Sequence, residues 1–334
     1  MAPRSELYSL VEPFARPRRS RAVVELLETF IPYALLNWVM VLMVTRGHPV
    51  MALVLTVPAA AFLVRVFIIF HDCCHGSFFR SRRANRITGY IAGILTLTPF
   101  DKWQREHAEH HATVGDLDRR GVGDVWTLTT AEYLAASKGR RLFYRVFRNP
   151  FIMFGIGPAL LFLIRNRLCG PANSTRERFS VHVTNAGILA AMLVAYLTIG
   201  LSTLFWIQLP TLLLAGAAGV WLFYVQHQFD DVYWARHEAW DPVKAALEGS
   251  SYYQLPKVLQ WLTGSIALHH IHHIQPRIPL YNLQRCQDTI PAFQAVPPLT
   301  LRRSLHSLRL RLLDETAGRM VTLASVKTGR AAAR

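Results

Sequence analysis

Long apolar runs alternate with basic, polar segments along this chain of 334 residues. The longest run, residues 183–226, contains no Asp, Glu, Lys or Arg. At about 20 residues per membrane-crossing helix, its length predicts two spans joined by a tight turn near Gly200 to Pro210. Residues 31–45 and 50–70 form a similar pair around the short connection RGHP. The pattern predicts an all-α integral membrane protein with four transmembrane helices in two hairpins.

Charge predicts the orientation of these spans. Basic residues collect before residue 31 and at 80–86, 138–148 and 165–178, whereas the turns joining the predicted spans carry little charge. By the positive-inside rule, both termini and the long polar segments face the cytoplasm. Arg65 falls inside the second span, near its cytoplasmic end, where a long side chain can snorkel to the interface.

Shorter apolar stretches predict further helices. Residues 87–100 and 150–164 are too short to cross comfortably, so we expect helices in the interface or packed beneath the spans. Near the C-terminus, four leucines at helical spacing among arginines predict an amphipathic helix; they are Leu301, Leu305, Leu308 and Leu312. The basic sequence RPRRSR precedes an apolar run without an obvious cleavage site, and indicates a retained membrane segment.

The whole chain is expected to form one domain, 1–334. Its parts are a basic cytoplasmic N-terminus (1–28), a first hairpin (29–70), a cytoplasmic or interfacial region (71–182), a second hairpin (183–227) and a second cytoplasmic region (228–334).

Composition supports a protein that lies in lipid. Hydrophobic residues make up 51% of the chain, charged residues only 17%, and the mean hydropathy is +0.21. The net charge of +16 does not indicate nucleic-acid binding, because the basic residues interrupt apolar runs and form no single face or tail. The four cysteines have no framework spacing, so reduced thiols are expected.

Histidines carry the candidate chemistry. Of the 14 histidines, ten follow apolar stretches on the same predicted side of the membrane. They are His71 and His75; His107, His110 and His111; His227; and His269, His270, His272 and His273. The other four, His48, His182, His237 and His306, lack this context and are expected to be ordinary surface or interface residues.

Their spacing predicts metal binding. On a helix, positions i, i+3 and i+4 share a face, so each group aims several imidazoles at one point. One HxxxH alone is as often structural, and one HxxHH fits a single zinc or a solvated basic face. Three such groups on one side make coincidence untenable, and their nitrogens exceed what one ion uses, which implies two metal ions. Nearby acids either orient ligands or form polar helix ends: Asp230, Asp231, Asp72, Glu106 and Glu109.

The three motifs, HxxxH at 71–75 and HxxHH at 107–111 and 269–273, resemble the histidine boxes of the membrane fatty acid desaturase family. The sequences HDCCHGSFF, HHATVGDLDRRGVGDVWTLTTAEY, YVQHQFDDVYW and HHIHHIQPRIPLYNLQRC are similar to the acyl-lipid omega-6 (delta-12) branch. The resemblance covers most of residues 30–290. Cys74 stands where this branch more often has glycine. The short first box and Phe223 set the chain apart from the acyl-CoA branch, and His269 sets it apart from front-end desaturases.

The resemblance implies a non-haem di-iron centre in a cytoplasmic helical cap. Its expected ligands are His71, His75, His107, His110, His111, His227, His269, His272 and His273. Four further residues are expected to lie behind the ligands and orient them, namely Asp72, Asp230, Asp231 and His270.

The implied reaction inserts a cis double bond into a lipid-linked acyl chain, with O2 as co-substrate. Electrons would come from an external ferredoxin or cytochrome b5-like donor, because no GxGxxG fingerprint follows a predicted strand. The expected location is the bacterial inner membrane. Two alternatives stay open: a hydroxylase or ketolase acting on an alkane or carotenoid, and a non-enzymatic metal-binding membrane protein. Against transport, the histidines lie at span ends and not near the midplane.

Overall fold

The computed structural model describes residues 4–327 and is mostly helical. Its helices are α1 Arg4–Val11, α2 Arg19–Thr45, α3 Pro49–His75, α4 Arg82–Leu95, α5 Phe100–Thr113, α6 Thr130–Ala135, α7 Lys138–Phe147, α8 Gly157–Ala159, α9 Thr175–Thr198, α10 Leu201–His227, α11 Pro242–Leu247, α12 Lys257–Leu262, α13 His269–Ile274, α14 Leu280–Thr289, α15 Pro291–Gln294, α16 Leu301–His306 and α17 Leu323–Lys327. The strands are β1 Leu128–Thr129, β2 Tyr252–Gln254, β3 Pro298–Thr300, β4 Leu310–Asp314 and β5 Arg319–Thr322.

Within residues 4–327, four helices are long and apolar enough to cross a membrane: α2, α3, α9 and α10. This confirms the predicted all-α membrane fold with four spans. Short π-helical and 3-10 turns on either side of α8 continue the predicted apolar helix at 150–164 as far as Arg167. This stretch would form a fifth span only together with α7, and the two are bent by 60°. The other predicted short helix, at 87–100, corresponds to α4.

The second hairpin turns more tightly than predicted. Helix α9 ends at Thr198 and α10 begins at Leu201, so the turn is confined to Ile199 and Gly200. Gly200 adopts a φ of +79°, a conformation that costs glycine little. Pro210 lies inside α10, so its prediction as part of the turn is wrong. Membrane helices tolerate an internal proline because neighbouring groups satisfy the freed carbonyl.

Arg65 does not snorkel, and that prediction is wrong. Its side chain is 1% exposed and forms a buried ion pair with Glu25 on the neighbouring span. Nε also donates to Thr29 Oγ1 at 3.0 Å, and the guanidinium lies 4.1 Å from the centroid of the Trp261 ring. An opposite charge and filled hydrogen-bond positions make burial of the cation tolerable.

The segment after α16 is not one amphipathic helix. Leu301 and Leu305 lie on α16 and are exposed, whereas Leu312 is fully buried in strand β4. Strand β4 pairs in parallel with β1 and antiparallel with β5, and a second small sheet joins β2 to β3 in parallel. Local leucine spacing predicted a helix, but pairing with the distant β1 determines the conformation here.

Helix α3 lies at the centre of the contacts between the spans and the shorter helices. This helix lies against α2, α4 and α10, and its C-terminal half is mostly buried. Because α3 continues to His75, the first histidine box occupies the last turns of a span. The second box lies on α5 and the third on α13, both packed over the same end of the spans.

Candidate metal centre

Five histidines from three helices form the first group. His71 and His75 come from the end of α3, His107 and His111 from α5, and His272 from α13. Each pair on α3 and α5 is four residues apart and therefore shares a helix face. Their five ligand atoms all lie within 4.8 Å of one another.

Four histidines form the second group. His110 lies on α5, His227 ends α10, and His269 and His273 lie one turn apart on α13. Their ligand atoms also lie within 4.8 Å of one another. All nine histidines predicted as ligands thus fall into two adjacent groups, and the tenth, His270, falls in neither.

The spacing of the nitrogens fits metal coordination. Nε2 of His272 lies 2.9 Å from Nε2 of His111 and 3.1 Å from Nε2 of His71. In the second group, His269 Nε2 lies 3.0 Å from the Nε2 atoms of both His227 and His273. Ligand nitrogens at about 2.1 Å from one ion and at right angles to each other are about 3.0 Å apart. These distances match the edges of a coordination polyhedron.

One buried nitrogen also indicates metal coordination. Nε2 of His75 faces the first group and has no hydrogen-bond partner among the described residues. A buried polar atom without a partner costs free energy, so an ion at this point would satisfy it. The residues therefore fit a metal in each group.

Five histidines on α5 and α13 are suited to be neutral ligands. Burial, reinforced by the neighbouring histidines, lowers the pKa of five of them well below the ordinary value; they are His107, His111, His269, His272 and His273. A neutral imidazole has a free lone pair that an imidazolium lacks. Near neutral pH, these side chains can therefore coordinate a metal without first losing a proton.

Groups behind the histidines fix their orientation. Nδ1 of His110 lies 3.0 Å from Asp124 Oδ1, and Nδ1 of His227 lies 3.1 Å from the carbonyl oxygen of Gly249. Each oxygen can accept the Nδ1 proton, which leaves the Nε2 lone pair directed at the group. Asp72 plays a weaker part, since its Oδ1 lies 3.4 Å from His71 Nδ1 while Oδ2 accepts the backbone N–H of Leu280 at 2.7 Å.

Sequence reasoning missed Asp124. A signal was present in Gly123, which adopts a φ of +69°. A Cβ atom at Gly123 would lie 2.9 Å from the Cβ of His110. The loop that folds back onto the second box therefore needs glycine at this position, and the Gly-Asp pair shortly after the box could have indicated it.

Two of the predicted orienting residues are misplaced, and that prediction is wrong for both. Asp230 Oδ1 lies 3.5 Å from His306 Nε2, and Asp231 is exposed. Neither carboxylate reaches a box histidine within the described residues. The physical reason is that α10 ends at His227 and the chain then turns away from the histidines.

His270, the last of the four candidates, faces away from both groups. Its Nε2 lies 3.0 Å from Gln287 Oε1, and its ring packs against Tyr252 and Phe293. Burial lowers the pKa of His270 to about 4, against a raising effect of the Gln287 hydrogen bond. The residue joins the third box to α14 and α15.

Glu106, Glu109 and His237 have partners away from the groups. Glu106 pairs with Arg165 at 3.2 Å, and Glu109 with Arg105 at 3.1 Å. His237 Nδ1 lies 2.8 Å from a carboxylate oxygen of Asp116.

Aromatic side chains cover the histidines on the span side. Trp103 stacks on His107 with ring centroids 4.2 Å apart. Phe223 lies with its ring centroid 5.2 Å from that of His110. These rings give the histidines an apolar neighbour on that side, while three of the nine histidines are partly exposed; they are His75, His111 and His273.

Apolar spans whose ends carry two clusters of buried histidines define an integral membrane protein with a histidine-rich site suited to metals. Residues 47–302 match the family described as fatty acid desaturase. The chain belongs to the fatty acid desaturase family and is therefore an oxidoreductase of the desaturase class.

Named relatives agree with this assignment. The chain is 46% identical to the "Fatty acid desaturase" of Bacillus subtilis (strain 168) over 322 residues, which cover 96% of this chain and 91% of that protein. It is 26% identical to the "sn-1 oleoyl-lipid 12-desaturase" of a Synechocystis strain, over 68% of this chain and 65% of that protein. It is 27% identical to the "Omega-6 fatty acid desaturase, chloroplastic" of Arabidopsis thaliana, over 67% of this chain and half of that protein's length (50%).

Proposed function

We propose that the protein is an O2-dependent acyl-lipid desaturase of the omega-6 (delta-12) type, with one iron in each histidine group. The observation that carries the proposal is the pair of histidine groups at the ends of apolar spans, with spacings that suit two metal ions. The acyl-lipid and regiochemical parts rest on the names of the relatives from Synechocystis and Arabidopsis thaliana.

The nine histidines would hold the two irons through Nε2. When bound, iron supplies the reduction of O2 that drives removal of two hydrogens from adjacent methylenes. The overall reaction consumes one CH2–CH2 unit, one O2, two electrons and two protons. It produces one cis CH=CH unit and two waters. The two electrons must come from a separate donor, for which we propose a ferredoxin or cytochrome b5-like protein.

The chain's own residues have three tasks in this reaction. The oxygens of Asp124 and Gly249 hold the Nδ1 protons of two ligands, which fixes the tautomer that binds metal. The rings of Trp103 and Phe223 keep water away from the span side of the histidines. The apolar spans place an acyl chain at the depth where the first box begins.

Location and orientation complete the proposal. We infer a bacterial inner-membrane protein whose histidine groups and termini face the cytoplasm, because the basic segments lie on that side of the spans. The net charge of +16 suits an acidic electron donor.

The proposal is tested by expression in a bacterial host rich in monounsaturated lipids, followed by analysis of the extracted fatty acids. New diunsaturated chains that depend on His272 support it, with His272→Ala as the inactive variant. Hydroxylated or oxidised products would assign the chain to the hydroxylase or ketolase alternative. Unchanged lipids, from protein that holds iron and is supplied with a reduced donor, would contradict the proposed reaction.

A further inference from the structure

A small basic pocket lies away from the histidine groups, where the segment before α2 meets α14. It encloses about 270 Å³. This is just below the roughly 300 Å³ at which pockets for drug-sized ligands begin, so it suits a small polar group. Six of its lining residues carry the argument: Phe14, Arg16, Arg18, Arg80, Asn282 and Arg285.

The four arginines of this pocket have no acidic partner in the part of the chain that the structure describes. No carboxylate of the described residues lies within ion-pair distance of Arg16, Arg18, Arg80 or Arg285. Elsewhere in the structure arginines at similar exposure do pair, as Arg236 does with Asp118 and Glu315. Four unpaired guanidinium groups around one small cavity create a positive potential that favours an anion, and guanidinium geometry matches phosphate oxygens.

The walls of the pocket are held in place. Arg80 Nε donates to the carbonyl oxygen of Pro17 at 3.0 Å, and the backbone N–H of Arg18 donates to Tyr281 Oη at 3.0 Å. Asn282 Nδ2 donates to the carbonyl oxygen of Phe14 at 2.8 Å. These bonds hold Arg80 and the backbone before α2 against α14, and the Arg285 guanidinium lies 5.6 Å from the centroid of the Phe14 ring. The backbone of the pocket and two of its arginines are therefore preformed.

The pocket lies beside the end of a span. Arg18 directly precedes α2. The first exposed apolar residues of this helix are Val23 at 40%, Val24 at 37% and Leu27 at 52%, and exposed charged residues continue as far as Glu28. Helix α2 therefore passes from a polar to an apolar surface within about its first three turns. An anion in this pocket lies close to the membrane surface, where lipid phosphates are found.

We propose that this pocket binds the phosphate group of a phospholipid headgroup. The inference deepens the proposed function, on which it rests, because it makes a phospholipid the substrate class. Helix α14 connects the pocket to the first histidine group, since Leu280 at its start donates to Asp72 beside His71. A lipid held by its phosphate would present its acyl chains to the histidines at a fixed distance from the headgroup.

Binding is measured on the purified full-length protein, loaded with iron, in a neutral detergent. The probe is dihexanoyl phosphatidylglycerol, titrated by calorimetry, with dihexanoylglycerol as the probe without phosphate and inorganic phosphate as the probe without lipid. The pocket variant is Arg18→Gln/Arg285→Gln. The matched control is Arg82→Gln/Arg83→Gln, which removes the same charge from two exposed arginines of α4 that do not line the pocket.

We expect phosphatidylglycerol to bind the pocket variant roughly 30-fold more weakly than the wild type, because two of the four cations around the phosphate are lost. The control should bind like the wild type, and dihexanoylglycerol should bind all three proteins equally. Equal melting temperatures and iron contents show that the variants are folded. Unchanged phosphatidylglycerol affinity in the pocket variant would overturn the proposal.

Two other outcomes also overturn it. If inorganic phosphate binds as tightly as phosphatidylglycerol, the site is one for free phosphate. If lipid binding is unchanged but electron transfer from a reduced ferredoxin slows more than tenfold, the pocket belongs to the donor. Failure of the proposed function would give a different result. If the host forms no new double bonds but lipid binding still depends on the arginines, the proposed reaction is wrong and the proposed pocket stands.

Discussion

The rings of His111 and His273 stack with their centroids 4.2 Å apart and their planes inclined by 25°. The two side chains belong to different histidine groups, so one ring of each group forms a shared wall. Both are also among the partly exposed members. The two groups are therefore neighbours in one open site, as the proposed dinuclear centre requires.

Removal of one ligand should remove one metal ion preferentially. His110→Ala takes one of four ligands from the second group and leaves the five of the first, so we expect iron to fall from about two to about one per chain. Iron per protein is measured by plasma mass spectrometry. His270→Gln is the control, since His270 contacts Gln287 and no group, and it should retain both ions. Equal iron loss in the two variants would contradict the assignment of His270.

Asp124 should matter for metal affinity where Asp230 does not. Asp124→Asn leaves an amide beside His110 Nδ1 and weakens the tautomer that directs Nε2 at the metal. We expect 10- to 100-fold weaker iron binding at the second group. Competition with a chelator measures this affinity. The control Asp230→Asn alters a carboxylate near His306 and should leave iron affinity unchanged; the reverse ranking would refute the geometry described above.

The buried pair of Arg65 and Glu25 should be costly to break on one side only. Arg65→Met leaves the Glu25 carboxylate buried without its partner, and we expect a loss of about 3–5 kcal/mol in the free energy of unfolding. Removal of both charges in Glu25→Leu/Arg65→Met should recover most of this loss. Denaturant unfolding in detergent measures both. The control Arg46→Met changes an exposed arginine that directly follows α2, the helix that carries Glu25. It should change stability by less than about 0.5 kcal/mol.

Asp116 should make stability depend on acid pH. Burial works to raise the pKa of this carboxyl, but hydrogen bonds from His237, Arg119 and the backbone N–H of Asp118 outweigh it and lower the pKa below its ordinary value. The ionised form therefore stabilises the folded state above the unfolded pKa of about 3.9, and this contribution is lost as pH falls through the lower folded pKa. Asp116→Asn should be less stable than wild type at pH 7, and the gap in melting temperature should narrow below about pH 4. A gap independent of pH would show that the charge of Asp116 is not what stabilises the fold.

Features encoded over short distances in the chain were predictable. The spans follow from runs of apolar residues, and the grouping of His71 with His75 follows from helical spacing alone. Features that depend on distant partners were not. The orientation of His110 by Asp124 needs a loop to close over 14 residues. The pairing of Arg65 with Glu25 joins positions 40 residues apart on different helices.

Two of the wrong predictions share one cause. Asp230 and Asp231 are close to His227 in sequence, yet the end of α10 turns the chain away from the groups. Leu312 continues a helical spacing, yet pairing with Leu128 places it in a strand. In both cases a local pattern was extended past a point where tertiary contacts set the direction of the chain.

The contact between His71 and His272 joins positions 201 residues apart in sequence. During synthesis, the first box therefore leaves the ribosome long before the third, and the spans α9 and α10 are made in between. Neither histidine group is complete until α13 has been translated and folded back onto α3 and α5. Metal loading is thus a late step of biogenesis that follows membrane insertion, and a chain truncated before α13 should insert into the membrane yet never become a holoprotein.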